Sequence, residues 1–168
     1  MNTQHHEFFS IDDCLIQVGT DAKSNDQLSL HTSRPDEWWM HWEGGAGAHV
    51  VICCRDDYIH NVLPETLKDA ATLALRHSKA APVDKKMYVV TLTRPCYLQK
   101  PKGAKDGMIK IALTDCFTSR KKGKKKKQQR RQRTEDSDEL SGIVEKYSIR
   151  YEASRYERLM ESHIRYKD

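Results

Sequence analysis

The chain holds no apolar run near the ~20 residues that a membrane-spanning helix requires. Its first residues, MNTQHHEFFSIDD, lack the basic-then-apolar order of a secretory signal and the Arg/Ser-rich, acid-poor makeup of a transit peptide, so no targeting segment is expected there. Cysteine is sparse. Cys14, Cys53, Cys54, Cys96 and Cys116 form no C-x-x-C pair, and an odd count argues against a disulfide framework. Reduced, largely buried thiols in the cytosol or an organelle matrix are the expectation. No H-E-x-x-H or paired C-x-x-C is present for a metal, and Gly44-Gly45-Ala46-Gly47 lacks the Lys-Ser/Thr that would make it a phosphate loop. Neither metal nor cofactor is expected. An enzyme using His41, His49 and a cysteine is the weakest reading, because Cys53 and Cys54 sit in the most apolar run and no complete acid, base and nucleophile set can be named.

What is present is charge, unevenly spread. The 168 residues are 38% hydrophobic and 32% charged, more polar than an average domain. Residues 1–119 carry 13 Lys+Arg against 15 Asp+Glu, whereas residues 120–168 carry 16 against 9. The formal net charge of +5 therefore belongs to the tail. Within it, RKKGKKKKQQRRQR (120–133) holds ten cations and no anion, a stretch that repels itself and cannot build a core. These shifts divide the chain into a body (1–119), a basic then acidic linker (120–137) and a C-terminal helix (138–168).

The body alternates strand and helix signals. Residues 8–9 and 15–19 form an expected hairpin around Asp12-Asp13, and 38–42 and 49–54 are two further strands. Pro64, Glu65 and Asp69 suit the start of a helix whose apolar positions Leu67, Ala70, Ala71, Ala74 and Leu75 follow the 3.6-residue period. Residues 87–92 and 108–113 complete the expected strands, joined by a Lys/Gly/Pro-rich connection. The predicted class is α+β: a mixed β-sheet of short strands with packing helices, then a basic linker and a C-terminal helix. In that helix Leu140, Val144, Tyr147 and Tyr151 share a face that Arg155 interrupts, so it docks on this body or on a partner.

Nucleic-acid binding needs cations for phosphate and flat side chains for bases. Arg120, Lys121, Lys122, Lys124, Lys125, Lys126, Lys127, Arg130, Arg131 and Arg133 supply the first. Alternation along 37–43 sends Trp38, Met40 and Trp42 to one face and Trp39 and His41 to the other; composition does not decide which set is core.

Five blocks, in order, resemble the RNA-binding domain called NFACT-R. They are Gly19 with Asn25-Asp26-Gln27-Leu28; Glu37-Trp38-Trp39-Met40-His41; Gly47-Ala48-His49-Val50-Val51-Ile52; Thr66-Leu67 through Ser78-Lys79-Ala80; and Tyr97-Leu98-Gln99-Lys100-Pro101-Lys102-Gly103-Ala104-Lys105-Asp106-Gly107. The likeness runs from about residue 8 to residue 113. Glu37, Ala46, Ala48 and Thr20 depart from the family's Asp, Pro, Ser and Lys. Domains of this family usually lie at one end of large ribosome-quality-control factors, which bind a blocked large subunit and recruit tRNA; short forms with a charged helical tail also exist, and this chain is similar to those. The resemblance implies a non-catalytic, cytoplasmic, ribosome-associated protein binding rRNA or tRNA on the large ribosomal subunit, with an organelle matrix or the nucleolus as other locations. It also implies contact residues: Asn25, Trp39, His41, His49, Ser78, Lys79, Lys100, Lys102 and Gly103, with the histidines as donors strengthening below pH ~6.5. The alternatives are a protein-interaction adaptor using the C-terminal helix, or a DNA-binding, membrane-associated relative.

Overall fold

The computed structural model describes residues 5–53, 62–79, 81, 87–112 and 143–165. Strands β1 (His5–Phe9) and β2 (Leu15–Gly19) form the expected hairpin. Its turn holds Asp13 at φ 58, a conformation that Asp tolerates better than most residues, and Ser10 Oγ accepts from the backbone N–H groups of Asp12 and Cys14. Helix α1 (Ala22–Gln27) begins on a reciprocal cap between Asp21 and Ser24 and runs into a π-helical turn, Leu28–Thr32. Strands β3 (Trp38–Trp42) and β4 (Val50–Cys53) precede helix α2 (Pro64–Arg76), which starts on Pro64 where the missing N–H costs nothing. Strand β5 (Tyr88–Thr93) follows, then β6 (Leu98–Gln99) and β7 (Lys110–Ile111), which pair only with each other.

The main sheet has six strands in the order β1-β2-β4-β3-β5-β8, where β8 is Glu145–Ile149. The fold is α+β. Every described strand pair is antiparallel, so the sheet is not mixed.

Both faces are covered, and the sequence shows why. β4 is apolar at every buried position because Val50 and Ile52 point to one core while Val51 points to another. Met40 and Trp42 join the larger core under α2, whose small Ala70, Ala71 and Ala74 let the helix approach closely. Trp39 faces the other way and packs with Leu28, Val51 and Leu98. Trp39 and Trp42 are therefore core on opposite faces, while Trp38 is half-buried with the Arg94 guanidinium over its ring.

The C-terminal segment differs from its expectation. Residues 145–149 are the edge strand β8, and among the described residues of this segment the helix is Ala153–Arg165, here α3. Tyr147 and Tyr151 fit a helical period, but Tyr147, Ile149 and Tyr151 also fit a period of two. The open edge of β5 decided between them. α3 docks on this body. Leu159 is fully buried, Ser162 Oγ accepts from Phe9 N–H at 3.1 Å, and His163 Nδ1 donates to the Glu7 carbonyl at 2.7 Å, which covers the exposed edge of β1. Arg155, the interruption of the apolar stripe, reaches Asp69 Oδ1 at 2.9 Å and Glu65 Oε2 at 2.8 Å, and Arg158 also bonds Asp69.

The thiol expectation is corrected at one position. Cys14 and Cys53 are reduced thiols, half-buried. Cys96 is disulfide-bonded. An odd cysteine count excludes a fully paired set, not a single bridge.

Candidate nucleic-acid interface

α1 is the hub of the candidate surface. Asn25 Oδ1 accepts from His49 N–H at 3.0 Å and its Nδ2 donates to the Gly47 carbonyl at 3.3 Å, which clamps the β3–β4 loop. Gly47 in turn lies flat on Ser78 beyond the end of α2; a Cβ there would stand 2.0 Å from Ser78 Oγ. The next residue of α1, Asp26, accepts from Lys100 Nζ at 2.6 Å and from Gly107 N–H at 3.0 Å, which draws in the β6–β7 loop. Gly107 turns at φ +83 with Ala22 3.2 Å from its missing Cβ, so no larger residue fits. Two segments distant in sequence therefore meet on these six helical residues, and the end of α2 joins them through Gly47.

Behind them lies a buried aromatic–polar cluster. Trp39 Nε1 donates to Ser29 Oγ at 2.9 Å, and Ser29 Oγ is 2.8 Å from His49 Nδ1. His41 stacks on Trp39, and its ring centroid is 5.4 Å from that of His49. Burial is the main cause that pushes His49 down to about 4, with the neighbouring His41 adding to it, and burial lowers His41 as well. Both imidazoles are neutral at pH 7.

The predicted contact residues thus separate into two groups. Asn25, Trp39, His49 and Ser78 are buried, and they hold the surface up rather than present it. The expectation that His49 meets RNA as a donor strengthening on protonation is corrected: at 4% exposure it is sealed under the loop it supports. His41 is half-buried, and Lys100 is engaged by Asp26. Lys79, Lys102 and Gly103 are exposed. The ten cations from Arg120 to Arg133 lie outside the described residues.

Two residues were missed. Arg76, on the last turn of α2, and Tyr151, just after β8, line a cleft of about 210 Å³ with Ser78, Lys79 and Tyr88. Arg76 could have been noted as a cation three residues before Lys79; Tyr151 had no signal, because its place depends on β8 joining the sheet. Among the described residues, no cluster of His, Cys, Asp and Glu is arranged to hold a metal.

Residues 4–111 match the family described as the NFACT protein RNA binding domain. The chain belongs to that family. The matched span takes in α1, the β3–β4 loop, α2 and the β6–β7 loop of this NFACT RNA-binding domain, and ends before β8 and α3. The Rqc2 homolog RqcH of Bacillus subtilis is 32% identical over 94 residues, which is 56% of this chain and 15% of that protein. The chain thus corresponds to a small part of this curated relative. The C-terminal part of the fibronectin/fibrinogen-binding protein from Streptococcus suis has the same fold, with a TM-score of 0.67 at 20% identity, over 97% of this chain and 50% of that one. The six-stranded sheet and its helices are in keeping with that likeness.

Proposed function

We propose that this chain is a non-catalytic RNA-binding protein that engages rRNA or tRNA on a large ribosomal subunit during ribosome quality control, rescue or assembly. The observation that carries the reading is the pair of loops that α1 of an NFACT RNA-binding domain draws together, the β3–β4 loop through Asn25 and the β6–β7 loop through Asp26, with Ser78 at the end of α2 against Gly47 and with Lys79, Lys102 and Gly103 exposed on these segments. Such a surface suits a ribose–phosphate backbone recognised by shape. The run 120–133 adds ten cations for non-specific phosphate affinity. The likeness to the Rqc2 homolog supports a ribosomal context and a cytoplasmic location.

A catalytic reading has little support. The Ser29–His49 contact has the length of a nucleophile–base pair, yet Ser29 is 2% exposed and its oxygen already takes the Trp39 N–H. The adaptor reading weakens too, because Leu159 of α3 is spent in this body's own core. Among the described residues, no helix is long and apolar enough to cross a membrane.

The test is equilibrium binding of the full chain to purified tRNA and large ribosomal subunits across a salt series. Replacing the ten cations of 120–133 by Gln and Ser keeps β8 and α3 in place. That variant should bind more weakly, with its log–log salt slope reduced by about 0.7–0.9 for each phosphate that the run neutralises in the unaltered chain. Lys79→Ala with Lys102→Ala should change the preference between the two RNAs while altering the slope by no more than about two phosphates' worth. No binding by the unaltered chain to either RNA would reject the proposal.

A further inference from the structure

The cleft between the end of α2 and the segment after β8 has a composition that the phosphate rim does not explain. Its walls include Tyr151, half-buried, and Tyr88, 5% exposed, together with Ser78. Arg76 and Lys79 stand exposed at its margin, and among the described residues no carboxylate lines it. The Arg76 guanidinium lies 4.6 Å from the Tyr156 ring centroid and 5.8 Å from that of Tyr151, so a cationic plane is held among aromatic rings on the helix side. The Ser78 hydroxyl donates to the Ala74 carbonyl at 2.6 Å, which leaves its oxygen lone pairs as acceptors. A volume of about 210 Å³ is suited to one nucleobase and not to a duplex. The cleft also continues the rim, because Ser78 is the residue that Gly47 rests upon.

We infer that this cleft takes a single unstacked nucleotide of the bound RNA, its base against Tyr151 and the Arg76 plane and its phosphate on Lys79. Single-stranded bases stack on aromatic and guanidinium planes in this way, whatever their sequence. The inference rests on the RNA-binding reading and adds a claim of its own: the C-terminal segment, outside the matched family span, contributes to recognition. Tyr151 is a binding residue for a base.

The experiment uses the full chain and two fluorescein-labelled 12-nucleotide RNAs, one of ordinary single-stranded sequence and one with the same backbone but abasic throughout. The unaltered chain should bind the first more tightly than the second. Tyr151→Leu, which keeps an apolar side chain but no ring, should lose about tenfold or more on the ordinary RNA and nothing on the abasic one, given the typical contribution of one stacked base. Tyr151→Phe should bind both within about twofold of the unaltered chain, since it keeps the ring. Lys79→Ala should weaken both RNAs alike. Thermal unfolding of each variant checks that the fold persists. Equal binding of the two RNAs by the unaltered chain, or an equal loss on both from Tyr151→Leu, overturns the inference while RNA binding itself stands. No binding of either 12-mer overturns the inference, and the reading beneath it falls with it only where tRNA and large subunits also go unbound.

Discussion

Asn25 shows how one buried amide can organise a surface it does not join. Its two hydrogen bonds hold His49 and Gly47, and through Gly47 the loop reaches Ser78. Asn25→Ala would leave a buried N–H and a carbonyl unpaired, which costs about 1–3 kcal/mol each. The expected result is a clear loss of stability in urea titration, with weaker RNA binding as a consequence and not as a separate effect. His49 carries a second prediction. Its imidazole stays neutral down to about pH 4 in the folded chain, whereas an unfolded histidine takes its proton near 6.5. Below that value the unfolded state binds more protons, so stability is complete above pH ~6.5 and drains as pH falls toward 4. His77, also held near 4 by burial first and then by the nearby His6 and His163, acts in the same sense. Urea unfolding at pH 7.5 and 5.0 should show the loss, on the order of 1–3 kcal/mol for His49 alone. A flat profile over that interval would count against burial of these rings.

Between elements, the decisive contact is that of α2 with α3. Asp69 is fully buried and receives Ile11 N–H at 2.9 Å together with the guanidinium groups of Arg155 and Arg158. Asp69→Ala removes the fully buried partner of Arg155, itself only 13% exposed in its side chain, and leaves the Ile11 N–H unpaired, which should cost about 3–5 kcal/mol in chemical denaturation even though Glu65 stays at 2.8 Å. Leu159→Ala, a cavity in the shared core, should cost about 2–5 kcal/mol in the same cooperative transition. Ending the chain at residue 142 should be worse still, because it removes β8 from β5 and uncovers the edge of β1. Size-exclusion chromatography of that fragment should show aggregation. These contacts were only half legible. Strands β3 and β4 could be read from their alternation and apolar run, and α2 from its proline start and alanine face. β8 could not, since Tyr147 and Tyr151 satisfy two periods at once. Arg155 read as a flaw in a stripe because its partner, Asp69, lies 86 residues away.

At the scale of the whole molecule, charge and shape are kept apart. The folded body is near neutral by composition and the run 120–133 holds ten cations. Neutralising that run should leave the thermal midpoint within about 2 °C while RNA affinity falls, since no described contact of the core depends on it. A large drop in the midpoint would mean that the run also supports the fold. The run joins a helix-covered sheet on one side to β8 and α3 on the other, a place in the chain that makes simple tail deletion a poor probe.

Local order and composition alone determined the alternating core strands, the α2 helix, the basic run and the ordered blocks that resemble the family, because each depends on neighbours within a few residues. Which side chains face out was decided in three dimensions. His49 and Lys79 look equally available in the sequence, yet one is buried beneath a loop and the other stands free of it. Only long-range pairing through Asn25, Asp26 and the edge of β5 sets that difference, and such pairing leaves no local pattern to read.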